Sequence, residues 1–114
     1  MARQYEIRIT QHAEQAMREI GSYIAVDLQA PETALQMLMT FQAEIASLKQ
    51  MPHRIFLTPE EPWHSFGVRR MLVKNYDIYF WIDEEKSVVQ ITDVIYGKRN
   101  QAKQLMNMPL DENS

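Results

Sequence analysis

Cysteine is absent from the 114 residues of this chain. That excludes disulfides, thiolate metal sites and cysteine nucleophiles, and it fits a reducing compartment. Histidine is scarce, and His12, His53 and His64 lack the helical spacing that would bring two imidazoles onto one metal ion. No metal and no cofactor is expected. Long apolar runs are also missing: nothing approaches the roughly 20 residues that cross a bilayer, and the first residues lack a charged-then-apolar signal pattern. The expectation is a cytoplasmic protein with no membrane partner. Positive charge is not in excess either, the formal net charge being −3 and the pI about 5.6. Generic coating of nucleic acid, which draws on phosphate neutralisation by a basic surface, is thereby excluded. The cations are nonetheless uneven, four in residues 1–50 and eight in residues 54–103, so a local basic patch remains.

What is present suffices for one domain over residues 1–114, since a chain of this length buries somewhat more than about 60% of its unfolded surface. Tyr5, Ile7 and Ile9 alternate with polar residues as in a half-buried strand that joins a later sheet. Thr10 is placed to cap a helix over 11–28, whose apolar positions Ala13, Ala16, Met17, Ile20, Tyr23, Ile24 and Leu28 step by three and four. Gly21 inside that helix implies a bend or a close neighbour. Pro31 opens a second helix over 31–50 with the stripe Ala34, Leu38, Phe41, Ile45 and Leu48. The short Gln29-Ala30 link makes the two an antiparallel hairpin. Residues 51–66, with Pro52, Pro59 and Pro62, read as an irregular loop tacked down by Ile55, Phe56, Leu57, Trp63 and Phe66.

Gly67 to Asn100 is the organising stretch, three strand-like runs separated by Lys74-Asn75 and by Asp83-Glu84-Glu85-Lys86. It predicts an antiparallel meander. Period two puts Met71 and Val73 on the core face with Arg69 at its margin, and Arg70 on the outer face. Ile78, Phe80 and Ile82 then face the helices, while Asp77, Tyr79 and Trp81 face outward. Val94 falls three positions after Ile91, so either a bulge near Thr92-Asp93 resets the register or Val94 turns outward. The fold class is α+β: an N-terminal strand and a helical hairpin packed on an antiparallel sheet of about four strands. A weak helix over Gln101–Met106 follows, and residues 107–114 read as a frayed tail.

Five short segments in this order carry a family resemblance: Ser22-Tyr23-Ile24, the run from Ile45 to Met51-Pro52, Gly67-Val68-Arg69, Tyr76-Asp77-Ile78-Tyr79-Phe80, and Ile91 through Asn100. Over residues 5–106 the chain resembles toxins of the RelE/ParE superfamily of bacterial type II toxin–antitoxin modules, also called plasmid stabilisation proteins. The resemblance implies a cognate antitoxin, which wraps the toxin with a helix and an added strand, and an oligomer formed through that antitoxin. It also implies one of two activities. RelE-like members cleave messenger RNA on the ribosome by activating a ribose 2′-hydroxyl with basic and tyrosine side chains. Carried over by position, Arg70 matches a strand lysine of that site and Arg99 the arginine after the last strand. Val68, Asp77 and Leu105 stand where a second lysine, an arginine and a tyrosine belong. ParE-like members, which this chain resembles better in the hairpin and in Gly67-x-Arg69, poison DNA gyrase and have no established catalytic residues to carry over.

The expectation is a ParE-like gyrase inhibitor, with a RelE-like messenger ribonuclease or an inactive antitoxin-binding relic as the alternatives. Arg70 and Arg99 are the candidate catalytic residues, and Arg69, Lys98, Tyr76 and His64 the candidate binding residues. For Arg69 the competing role is an ion pair with a carboxylate such as Asp93.

Overall fold

A computed structural model describes residues 3–112 of the chain. Its elements are β1 (Glu6–Ile9), α1 (Gln11–Ser22), α2 (Pro31–Ala46), β2 (Arg69–Val73), β3 (Tyr76–Asp83), β4 (Val88–Tyr96) and α3 (Gln101–Leu105). The strands form one sheet in the order β1-β4-β3-β2. β2, β3 and β4 are the expected antiparallel meander, but β1 lies parallel to β4, with Ile7 opposite Val89, and the sheet is mixed. Apolar alternation reports which face a strand buries and not the direction in which it runs.

The helical hairpin covers one face. Thr10 caps α1 by accepting from the Ala13 N–H at 3.0 Å. After Ser22 the helix widens into a π-helical turn, Tyr23–Asp27, and the chain reverses through Gln29 at φ 53°. Gly21 marks the predicted close approach, because a Cβ there would lie 3.1 Å from Leu38 Cδ1 on α2. Pro31 supplies the first turn of α2, and Phe41, Ile45 and Leu48 are buried against Met71, Val73, Ile78, Phe80, Val89, Ile91 and Val94. Val94 joins this face because β4 bulges: Tyr79 pairs with Asp93 and Phe80 with Ile91, leaving Thr92 as the extra residue. The Thr92 hydroxyl donates to the Tyr79 carbonyl at 3.1 Å.

The opposite face carries a second apolar cluster of Val68, Tyr79, Ile95, Leu105 and Met108, flanked by Trp63, Trp81 and Leu110. Here the expectation of a frayed tail is corrected as far as residue 112. Met108 is buried, the Trp81 indole donates to the Leu110 carbonyl at 2.6 Å, and Glu112 accepts from the Gln11 N–H. Residues 113 and 114 lie outside the described residues. The tail is held because the outward aromatic residues of β3 need cover from water, and Leu105, Met108 and Leu110 supply it. Two loop anchors are also corrected, since Phe56 and Phe66 are exposed. The other three anchors hold: Ile55 packs against the helical-face core, Leu57 pairs through its backbone with Arg69, and Trp63 lies against the outer cluster.

Candidate functional site

Two concave surfaces stand at opposite edges of the sheet. The first is a groove of about 570 Å³ beside β1, floored by Ile7 and Ile9, walled by Met17 of α1 and by Leu38 and Ile45 of α2, and rimmed by Glu14, Arg18, Gln42 and Lys49. The adjoining strand edge is open. Glu6 and Thr10 donate their N–H groups to Ser87 and Ile91 of the β4 side, so the intervening Ile7 and Ile9 direct theirs away from the sheet. Just before β1, Tyr5 uses the same edge to donate to the Lys49 carbonyl, so the edge is covered only ahead of the groove. The helix and added strand that the family resemblance implies call for a groove beside the hairpin or an exposed sheet edge, but the residues forming it were not named from the sequence; the signal was an apolar stripe on α1 and α2 wider than one helix-to-helix seam needs.

The second surface is a hollow of about 380 Å³ on the outer face near β2, lined by Phe56, Leu57, Arg70, Leu72, Asp77, Gly97 and Gln101. Arg70 extends across it towards Glu60, with 3.6 Å between guanidinium and carboxylate. Asp77 is buried, which raises its carboxyl above the ordinary range; the Arg70 charge opposes that rise and Glu60 adds to it. The Tyr79 hydroxyl donates to Gln101 Oε1 at 2.7 Å, and burial together with the Asp77 charge pushes its pKa well up. The Gln101 amide in turn donates to the carbonyls of Tyr96 and Arg99, tying the turn after β4 to the base of α3.

The candidate residues are not gathered in one place. Arg70 lines the hollow. Arg99 and Lys98 are exposed in the turn between Gly97 and Gln101, outside the lining, and neither makes an ion pair among the described residues. Arg69 donates to the carbonyls of Ile55 at 2.6 Å and His53 at 3.3 Å, so it fastens the loop; Asp93 pairs with His12 instead. Tyr76 is half-buried on the helical side, edge-on to Phe41 with ring centroids 5.4 Å apart and tilted against Tyr96. His64 meets the Thr58 carbonyl through Nδ1 at 2.9 Å within the loop. Glu60 and Gln101 were not singled out along the chain, and Phe56 only as a loop anchor, because a loop partner and a helix-end amide carry no local motif. Among the described residues no three histidine, cysteine, aspartate or glutamate side chains cluster to hold a metal, and no helix is long and apolar enough to cross a membrane.

A helical hairpin on one face of a β1-β4-β3-β2 sheet is the architecture of RelE/ParE-like toxins. The chromosomal ParDE toxin–antitoxin system of P. aeruginosa superposes with a TM-score of 0.68 at 20% identity, covering 83% of this chain and 98% of that one. The toxin–antitoxin complex RelBE2 of Mycobacterium tuberculosis gives 0.58 at 17% identity, covering 82% and 91%. A double mutant of the E. coli toxin RelE in its free state gives 0.59 at 16%, covering 91% and 93%. No functionally curated protein matches the chain by sequence. The sequence model of the ParE toxin of type II toxin–antitoxin systems, parDE, matches residues 7–101, and the chain belongs to that family.

Proposed function

We propose that this toxin acts on DNA gyrase by binding rather than by catalysis, and that a cognate antitoxin restrains it by seating in the groove beside β1. The observation that carries the first half is the make-up of the outer hollow. Cleavage of RNA through its own 2′-hydroxyl requires free cations for the developing phosphorane charge and a proton donor for the leaving oxygen. Here the hollow offers one arginine already drawn towards Glu60, a buried carboxylate in Asp77, and a tyrosine hydroxyl committed to Gln101 and held far from easy ionisation. Arg99, the other carried-over cation, is outside the lining. The groove supports the second half: an apolar trough with a polar rim suits an amphipathic helix, and the open edge at Ile7 and Ile9 suits an added strand.

The decisive experiment incubates the purified protein with gyrase and supercoiled plasmid and, separately, with a ribosome-programmed translation extract. Trapped gyrase on cleaved DNA with intact messenger RNA is the expected outcome. Messenger cleavage that disappears in Arg99→Ala would establish the ribonuclease alternative. Expression of the chain alone should arrest growth, and co-expression of the neighbouring small reading frame should relieve it; harmless expression overturns both active readings.

A further inference from the structure

Asp77 is the second residue of β3 and pairs across the strands with Leu72 of β2 on the outer face. The residue is 6% exposed and its carboxylate accepts no hydrogen bond from any described residue; since no fully buried side-chain oxygen among the described residues lacks a partner, its oxygens open onto the hollow. Carboxylates at that depth are as a rule paired or hydrogen-bonded, because desolvating a charge without compensation is costly. The Arg70 charge acts on it from a distance, but the neighbours that could donate to it directly are engaged elsewhere. Arg70 reaches towards Glu60 at 3.6 Å, and both ends of the Gln101 amide are taken by Tyr79, Tyr96 and Arg99. Gly97 borders the carboxylate: a Cβ there would press on the Asn75 carbonyl at 3.2 Å and lie in ordinary contact, 3.8 Å, with Asp77 Oδ2. The walls are apolar and solvent-facing, with Phe56 86% and Leu72 71% exposed.

This combination selects its ligand. An anion meets two carboxylates, Asp77 and Glu60, against a single arginine. A purely apolar group would cover Asp77 and deepen its desolvation without giving it a donor. A primary ammonium satisfies the carboxylate but leaves the exposed ring of Phe56 without a planar partner. A guanidinium provides parallel N–H donors for a carboxylate and a flat, weakly hydrated face for an aromatic ring, on a stem that lies along aliphatic surface. We propose that the outer hollow is a receptor for an arginine side chain of a protein partner, with Asp77 accepting from the guanidinium, Phe56 stacking on it, and Leu57 and Leu72 flanking its stem. β2 and β1 are the two opposite edges of the sheet, so the arginine is received at the edge remote from the groove. The inference stands apart from the identity of the toxin's target.

The test follows amide resonances of Leu72, Asp77 and Gly97 in the isotope-labelled full chain during titration with N-acetylarginine methylamide. N-acetylcitrulline methylamide serves as an uncharged near-isostere, and guanosine monophosphate as a base presenting a similar pair of donors. Saturable shifts at these three amides are expected with the arginine probe, weaker by roughly tenfold or more with citrulline, the scale of losing one charge-assisted pair. Asp77→Asn keeps the side-chain size and should lose the discrimination between the two probes. Phe56→Ala changes an exposed position, so the fold should persist while binding weakens for both probes. Absence of arginine binding, equal response to citrulline, undiminished discrimination in Asp77→Asn, or stronger binding of the nucleotide each overturns the proposal. None of these readouts involves gyrase or growth arrest, so a negative result leaves the functional reading untouched.

Discussion

His12 Nε2 lies 3.0 Å from Asp93 Oδ2, joining the first turn of α1 to the bulge of β4. Burial holds the Asp93 carboxyl above its ordinary value of 3.8, and His12 draws it part of the way back. A carboxyl raised in the folded state binds its proton more tightly there than in the unfolded chain. Its contribution to stability is therefore complete below the ordinary value and is lost as pH rises through the folded one. Removing His12 takes away the opposing pull and sharpens that loss. His12→Ala should cost about 1–3 kcal/mol at pH 7, the scale for a buried group left without its partner, and clearly less at pH 4. Chemical denaturation of both proteins at the two pH values checks this, and an equal loss at both would contradict it.

Gly21 separates two effects of opposite sign. Replacing it by Ala recovers about 0.8–1.0 kcal/mol of helix propensity but brings a Cβ to 3.1 Å from Leu38 Cδ1, the movable end of a side chain that borders the groove. Gly21→Ala should fall within about 1 kcal/mol of the parent, whereas Gly21→Leu should lose about 1–3 kcal/mol by prying the hairpin apart. Thermal unfolding of the pair distinguishes propensity from packing.

Phe41 is fully buried and meets Tyr76 edge-on, so Phe41→Ala should cost about 3–5 kcal/mol. Tyr76→Phe keeps the ring contacts and should leave both stability and growth arrest nearly unchanged. Loss of growth arrest in a well-folded Tyr76→Phe protein would establish Tyr76 as a functional residue.

The tail contributes through Met108 and through the bond from the Trp81 indole to the Leu110 carbonyl. Met108→Ala should destabilise by about 2–3 kcal/mol, the lower part of the range for core methionines. A chain ending at residue 106 should expose Trp81, shifting its fluorescence to the red. An unshifted spectrum and unchanged stability would mean that the tail adds nothing to the outer cluster.

Ile9 is 39% exposed and floors the groove beside β1. Ile9→Glu should fold normally, yet it places a charge where an antitoxin's apolar face would sit. Affinity for the cognate antitoxin, measured by calorimetry, should fall by roughly tenfold or more, the factor expected for burying one unpaired charge at an interface. Growth arrest by the variant should then resist antitoxin co-expression.

Much of this molecule was legible along the chain because local rules and tertiary packing agree. Thr10 has the side chain of a cap, Pro31 the fixed φ of a first turn, and the three-residue step from Ile91 to Val94 can keep both on one face only through an extra residue, which is Thr92. Site residues were less legible. Arg69, Tyr76 and His64 have functional-looking chemistry, but their partners are the carbonyls of Ile55 and His53, the ring of Phe41 and the carbonyl of Thr58. No spacing rule pairs residues across an irregular loop or between layers of the fold.

Local rules set the strand, hairpin and meander, because periodicity, caps and turn residues act over a few neighbours and each element must bury one face. Tertiary structure alone decided that β1 runs parallel to β4, that the tail covers Trp81, and that Arg70 turns to Glu60 while Asp77 is left without a donor. Those outcomes depend on which distant groups compete for the same space and charge, and that competition is settled only when the layers close on one another.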